Sequence, residues 1–187
     1  MLSKDSDQES GLRIPPTQWY QSLDAAAVHN PEVLGAARYW LQVEGSFTRA
    51  LKQKCLQSFH VDVVHEGYGH PDPEEIQTLG LAPGQQAWIR EVRLCGDGRP
   101  WVLARTVIPP RCFEGKGEQL RHLGNRPLGA YLFSSSHWRR GPLETGLCRP
   151  EHPDQPRLAR RSLFHHHDSA LIVGEYLLPI LYSPPEL

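Results

Sequence analysis

Three charged residues stand where strand alternation calls for apolar ones. In Ala87–Leu94, a period of two aligns Trp88, Arg90, Val92 and Leu94 on one face and Ile89, Glu91 and Arg93 on the other. In Trp101–Ile108, Arg105 shares its face with Trp101, Leu103 and Val107, and in Ala170–Leu178 Glu175 lies between Val173 and Leu177. Charged side chains are seldom fully buried without a partner. Two guanidiniums and a carboxylate on inward-looking faces of adjacent strands predict a cavity that holds ligand charge. Ion-pair networks inside sheets are also built for structure alone, so the pattern by itself leaves both uses open.

Other reactive-looking groups carry less. His165-His166-His167 invites a zinc site, but consecutive strand residues point to alternate faces and cannot all converge on one ion. With Asp168-Ser169 beside it, the run reads as a solvated hairpin tip, and no metal is expected. Ser134-Ser135-Ser136 lacks the G-x-S-x-G frame of a nucleophilic serine. Gly115-Lys116-Gly117 lacks the spacing and the Ser/Thr of a phosphate loop. Arg139-Arg140 and Arg160-Arg161 are basic pairs of the kind usually found on solvated surface, one of which can attract an anion.

The elements that must position these residues change character along the chain. Residues 1–13 read as a disordered tail, and Pro15-Pro16 marks the start of an ordered domain over 14–187. Helices are expected over Gln18–Val28, from Pro31 to about Val43, and from an N-cap at Ser46 to about Leu56. Val61–Glu66 reads as a strand broken by Gly67, Gly69, Pro71 and Pro73, and Pro73–Leu79 as a short helix closed by Gly80. Ala87–Leu94 and Trp101–Ile108 form a hairpin around Asp97-Gly98. Short helices follow over Glu118–Leu123 and from Pro127, and Leu158–Phe164 with Ala170–Leu178 forms a second hairpin. Helices and hairpins in separate blocks predict an α+β fold on an antiparallel sheet.

Composition bounds the function. The 187 residues carry 20 basic and 21 acidic side chains, a net charge of −1, which removes any bulk electrostatic case for nucleic acid or anionic membrane. No membrane span is expected, because the longest apolar run, Ala170–Tyr182, is interrupted by Glu175. The N-terminus has no apolar signal region. Four cysteines without a CxxC pair point to reduced thiols in a cytoplasmic protein. A monomer is the default expectation.

Several ordered stretches together resemble the chorismate pyruvate-lyase family. They are Trp88-Ile89-Arg90-Glu91-Val92-Arg93-Leu94-Cys95-Gly96-Asp97-Gly98-Arg99-Pro100-Trp101, Ala104-Arg105-Thr106, the Leu-Gly-x-x-Pro-Leu-Gly-x-Tyr-Leu-Phe stretch from Leu123 to Phe133, Ala159-Arg160-Arg161-Ser162, and Gly174-Glu175-Tyr176. The resemblance runs from about Trp40 to Tyr182 and is strongest from Trp88 onward. It implies one domain with an antiparallel six-stranded sheet, and helices on one side that form flaps over an internal ligand cavity. It also implies conversion of chorismate to 4-hydroxybenzoate and pyruvate, the first step of ubiquinone biosynthesis, with product inhibition and no cofactor. The family's carboxylate-binding arginine matches Arg90, its active-site glutamate Glu175 and a ligand-contacting leucine Leu128. Phe47 stands where the family often has Met, which alters how the flap packs on the ring. The same fold occurs as the UTRA effector-binding domain of GntR-type regulators, which is a sensor and not an enzyme. Against that alternative, residues 1–40 leave little room for a DNA-reading domain and are not basic.

On this reading Arg90 forks onto the ring carboxylate of chorismate, and Arg105, one strand over, stabilises charge on the departing enolpyruvyl group. Glu175 either hydrogen-bonds the ring hydroxyl or takes the ring proton. Trp88, Leu128 and Phe47 form dry walls.

Overall fold

Asp97 and Gly98 both adopt left-handed backbone, φ 51° and 80°. That is the geometry of a tight turn whose twist matches its flanking strands. They join β3 (Ala87–Gly96) to β4 (Arg99–Ile108) in a long antiparallel hairpin. The Asp97 carboxylate also accepts the amides of Leu56, Gln57 and Ser58, so one residue ties the turn to the chain that enters the sheet. These elements come from a computed structural model that describes residues 11–183.

The rest of the sheet grows from this hairpin. β2 (Phe59–Gly69) pairs with β3, and β8 (Ser169–Leu177) pairs with β4 and with β7 (Leu158–His166). Beyond β7 lie β6 (Glu144–Cys148) and β1 (Thr17–Tyr20), with the two-residue β5 (Arg139–Arg140) also paired to β7. Every pairing is antiparallel and the order is β1-β6-β7-β8-β4-β3-β2. The sheet thus has eight strands where six were expected. The additional ones are short edge strands whose partners lie far off in sequence: Thr17 pairs with Cys148. Gln18–Tyr20, expected as the start of a helix, is strand because that distant edge supplies its hydrogen bonds.

Helices cover both faces, not one. On the first face sit α1 (Leu23–Ala27), α2 (Arg38–Gln42), α3 (Phe47–Lys54) and α5 (Leu128–Ser134). Ser46 caps α3, its hydroxyl accepting the Arg49 amide at 3.2 Å. A 3-10 turn (Pro31–Leu34) ending at Gly35 divides the helix expected over 31–43. Another 3-10 turn, Gly115–Arg121, replaces the helix expected over 118–123. α4 (Pro73–Leu79) keeps its expected bounds, with Gly80 at φ 64° closing it, but it packs on the second face. There the Leu12 amide donates to Glu91 at 2.7 Å; most of the tail expected to fray, residues 1–10, lies outside the described residues. All four cysteines are free thiols, and burial pushes that of Cys112 up to about 12.

The first face carries two apolar clusters. One, including Leu51, Val102, Leu158 and Leu177, lies under α1–α3. The other, including Ile108, Leu132, Phe164 and Leu171, lies under α5. Closure of the β3–β4 hairpin depends on Gly96, where a Cβ would fall 2.1 Å from the buried Trp101 ring. Gly96→Ala is expected to destabilise the fold by about 1–3 kcal/mol, the usual cost of overpacking. Denaturant unfolding measures it, and an unchanged midpoint would contradict this packing.

Candidate active site

A cavity of about 50 Å³ opens where the two clusters of the first face fail to meet. Phe47 and Thr48 of α3 and Leu128 of α5 roof it, and β3, β4, β7 and β8 floor it. Into this largely apolar space project three guanidiniums and one carboxylate, Arg90, Arg140, Arg160 and Glu175. The lining also includes the hydroxyl residues Thr106 and Ser162.

Arg90 is 2% exposed. It forms an ion pair with Glu66 and donates to the carbonyls of Gly124 and Arg126, each at 2.9 Å. A guanidinium has five N–H donors. Nη1 is committed to Glu66 and Gly124 and Nη2 to Arg126, so among the described residues Nε and Nη2 each keep one N–H for a ligand. Glu66 reaches Arg90 through a bulge. The β2–β3 register slips between Val63 and His65, which flips the parity of β2 and places Glu66 opposite Arg90 on the cavity face.

Glu175 lies 3.4 Å from Arg160 Nε and is 12% exposed. Burial holds its carboxyl above the ordinary carboxylate range, against the opposing pull of Arg160 and Arg140. Arg160, 1% exposed, donates from Nη1 to the carbonyls of Trp40 at 3.1 Å and Val43 at 2.8 Å, and lies 4.8 Å over the Phe47 ring. Its Nε is buried without a hydrogen bond. Arg160 therefore links the α2–α3 roof to the carboxylate beneath it.

Arg105 is elsewhere. It pairs with Glu91 across the hairpin, one residue out of phase with Arg90, and so occupies the second face. Glu75 of α4 holds it at 2.7 and 2.9 Å and Glu91 at 2.6 Å. Burial alone would lower its pKa, but those carboxylates outweigh it and hold the guanidinium charged. Next to it, Arg161 pairs with Glu74 and Glu144. The face shared by Leu103, Arg105 and Val107 is buried, as alternation implies, but it is not the face of Arg90. The cavity thus brings together Phe47, Arg90, Leu128 and Glu175, and leaves Arg105 out. The histidine run also stands apart: His166 Nδ1 lies 2.7 Å from the His137 carbonyl, and among the described residues no cluster suited to a metal ion occurs.

The family model described as chorismate lyase matches residues 17–186. A protein of Marinobacter nauticus named "Probable chorismate pyruvate-lyase" is 66% identical over 99% of this chain and 98% of its own length. The chain belongs to the chorismate lyase family. A similarly named protein of Methylococcus capsulatus is 40% identical over 79% of this chain and 97% of its own. A GntR-family transcriptional regulator from Bacillus cereus aligns with a TM-score of 0.50 at 12% identity, covering 70% of this chain and 99% of that one. That likeness shows a shared fold.

Three residues of this lyase-family cavity escape sequence reasoning. Glu66 is hidden by the bulge. Arg140, in a two-residue strand, and Arg160 carry in the sequence only the reading of basic pairs able to attract an anion, Arg160 also lying in a stretch shared with the family. For Arg160 a signal was present: in Leu158–Phe164 it alternates with Leu158, Ser162 and Phe164 on one face. Since Arg105 neutralises two largely buried carboxylates, Arg105→Ala is expected to destabilise the fold by about 3–5 kcal/mol, as when one partner of a buried pair is removed. Chemical denaturation checks this; wild-type stability with abolished turnover would instead put Arg105 in the site.

Proposed function

We propose that this protein is a chorismate pyruvate-lyase that converts chorismate to 4-hydroxybenzoate and pyruvate. Within a family already established by sequence, the observation that carries the reading is the charge of the enclosed cavity. Three guanidiniums meet two carboxylates, Glu175 on the lining and Glu66 paired with Arg90, so positive charge remains in excess and Arg90 keeps free donors for an arriving carboxylate. Chorismate brings one carboxylate on its ring and one on its enolpyruvyl ether.

The reaction is an elimination. The proton leaves the hydroxyl-bearing ring carbon and its electron pair forms the last ring double bond. The adjacent carbon–oxygen bond breaks toward oxygen, and the released enolpyruvate takes a proton on carbon to become pyruvate. Aromatisation drives the step, so the protein's work is to orient the dianion and keep water out. Arg90 offers its Nε and Nη2 donors to the ring carboxylate. Glu175 at the other end accepts the ring hydroxyl's hydrogen bond or takes the ring proton, and in either role the carboxylate is the working form. Phe47 and Leu128 wall the ring, and the helices that carry them act as flaps. We read the enzyme as a cytoplasmic monomer without a metal or organic cofactor, feeding ubiquinone synthesis.

Purified protein mixed with chorismate is expected to release 4-hydroxybenzoate and pyruvate in equal amounts; no turnover would overturn the reading. The raised pKa of Glu175 sets the pH dependence. A carboxyl whose pKa is raised stays protonated to higher pH, so kcat/KM should climb with pH through a limb above the ordinary value of about 4.3. Glu175→Gln should remove that limb and lower kcat by roughly 100-fold or more. A limb that persists in the variant would assign the titration to another group.

A further inference from the structure

The three guanidiniums of the cavity are not equally engaged. Arg90 has Glu66 as its counter-charge and Arg160 has Glu175. Arg140 has no carboxylate within ion-pair distance among the described residues. Among the described residues its side chain makes one hydrogen bond, from Nη1 to the Gly45 carbonyl at 3.2 Å, and its guanidinium lies 5.4 Å from the Phe133 ring centre. Burial and the neighbouring charge of Arg160 both disfavour its protonated form, and the carboxylates of Glu175 and Glu44 only partly compensate. An arginine held in this way has an electrostatic deficit that an arriving anion would fill.

Its position narrows which anion. Arg140 bonds the Gly45 carbonyl and Arg160 the Val43 carbonyl two residues before it, and Arg160 lies 3.4 Å from Glu175, so Arg140 stands toward the Glu175 end of the cavity. With the ring carboxylate on Arg90 and the ring hydroxyl on Glu175, the enolpyruvyl ether leaves from the carbon adjacent to the hydroxyl, and so also at the Glu175 end. Arg140 further lines a second, more open pocket that includes Gln42, Gly45 and Pro142, so it stands between the enclosed space and solvent. Arg105, on the opposite face of the sheet, cannot reach this place.

We propose that Arg140 binds the enolpyruvyl carboxylate of chorismate, orienting the leaving group and holding its charge as the carbon–oxygen bond breaks. This assignment rests on the lyase reading above. It separates substrate from product, because 4-hydroxybenzoate lacks the second carboxylate and makes no demand on Arg140.

Steady-state kinetics with chorismate and calorimetry with 4-hydroxybenzoate, on wild type, Arg140→Ala and Arg140→Lys, test it. Arg140→Ala should lose roughly tenfold to 100-fold in kcat/KM, the range of a lost charge-assisted contact, while binding 4-hydroxybenzoate within about threefold of wild type. Arg140→Lys should recover part of the loss, since it restores the charge without the fork. Turnover by Arg140→Ala within threefold of wild type would overturn the assignment, as would a loss of product affinity equal to the loss in kcat/KM. Should Arg140→Ala melt early, Arg140→Lys decides by the same two readouts. A wild-type protein inert toward chorismate would instead refute the lyase reading itself.

Discussion

A guanidinium inside a β-sheet must be neutralised where it stands, and the first face of this sheet is arranged around that requirement. Arg90 cannot be solvated at 2% exposure, so its charge is met by a carboxylate and two main-chain carbonyls. The carboxylate arrives only because β2 bulges near Val64, and the carbonyls only because the chain from Gly124 to Arg126 passes over β3. Arg160 repeats the pattern, with Glu175 and the carbonyls that close α2. Buried pairs of this kind add little net stability over apolar residues of the same volume. Stability therefore does not explain their presence between two otherwise apolar clusters. The ligand binding proposed above does.

The two faces use the same ingredients differently. On the second face Arg105 and Arg161 each meet two carboxylates: Arg105 meets Glu75 and Glu91, and Arg161 meets Glu74 and Glu144. These pairs clip α4 to the strands, and Leu12 adds its amide to Glu91. On the first face Arg90 and Arg160 meet one carboxylate each and Arg140 none among the described residues, so the guanidiniums outnumber the carboxylates, and Arg160 Nε is buried without a hydrogen bond. One residue of register separates the two outcomes, since Arg90 faces Thr106 while its neighbour Glu91 faces Arg105.

Much of this was legible in the sequence, because alternation is local. It placed Arg90 and Glu175 on buried faces, the Asp97-Gly98 turn fixed the central hairpin, and Ser46 and Gly80 marked helix ends correctly. It could not say which buried face is which: Arg105 satisfies the same pattern as Arg90, and only strand pairing sends it to the other side. The edge strands were illegible for a related reason. A four-residue strand such as Thr17–Tyr20 has too little periodicity to announce itself and is settled by a partner more than a hundred residues away. The bulge that recruits Glu66 likewise breaks the alternation on which the reading depends.

The central claim is that the uncommitted donors of Arg90 take the carboxylate of a benzoate-like ring. Calorimetric titration of 4-hydroxybenzoate into wild type and into Arg90→Ala, with the fold of each verified by thermal melting, tests it most directly. A dissociation constant raised about tenfold to 100-fold in the folded variant is predicted, as for a lost charge-assisted contact. Equal affinity in the two proteins would contradict the account.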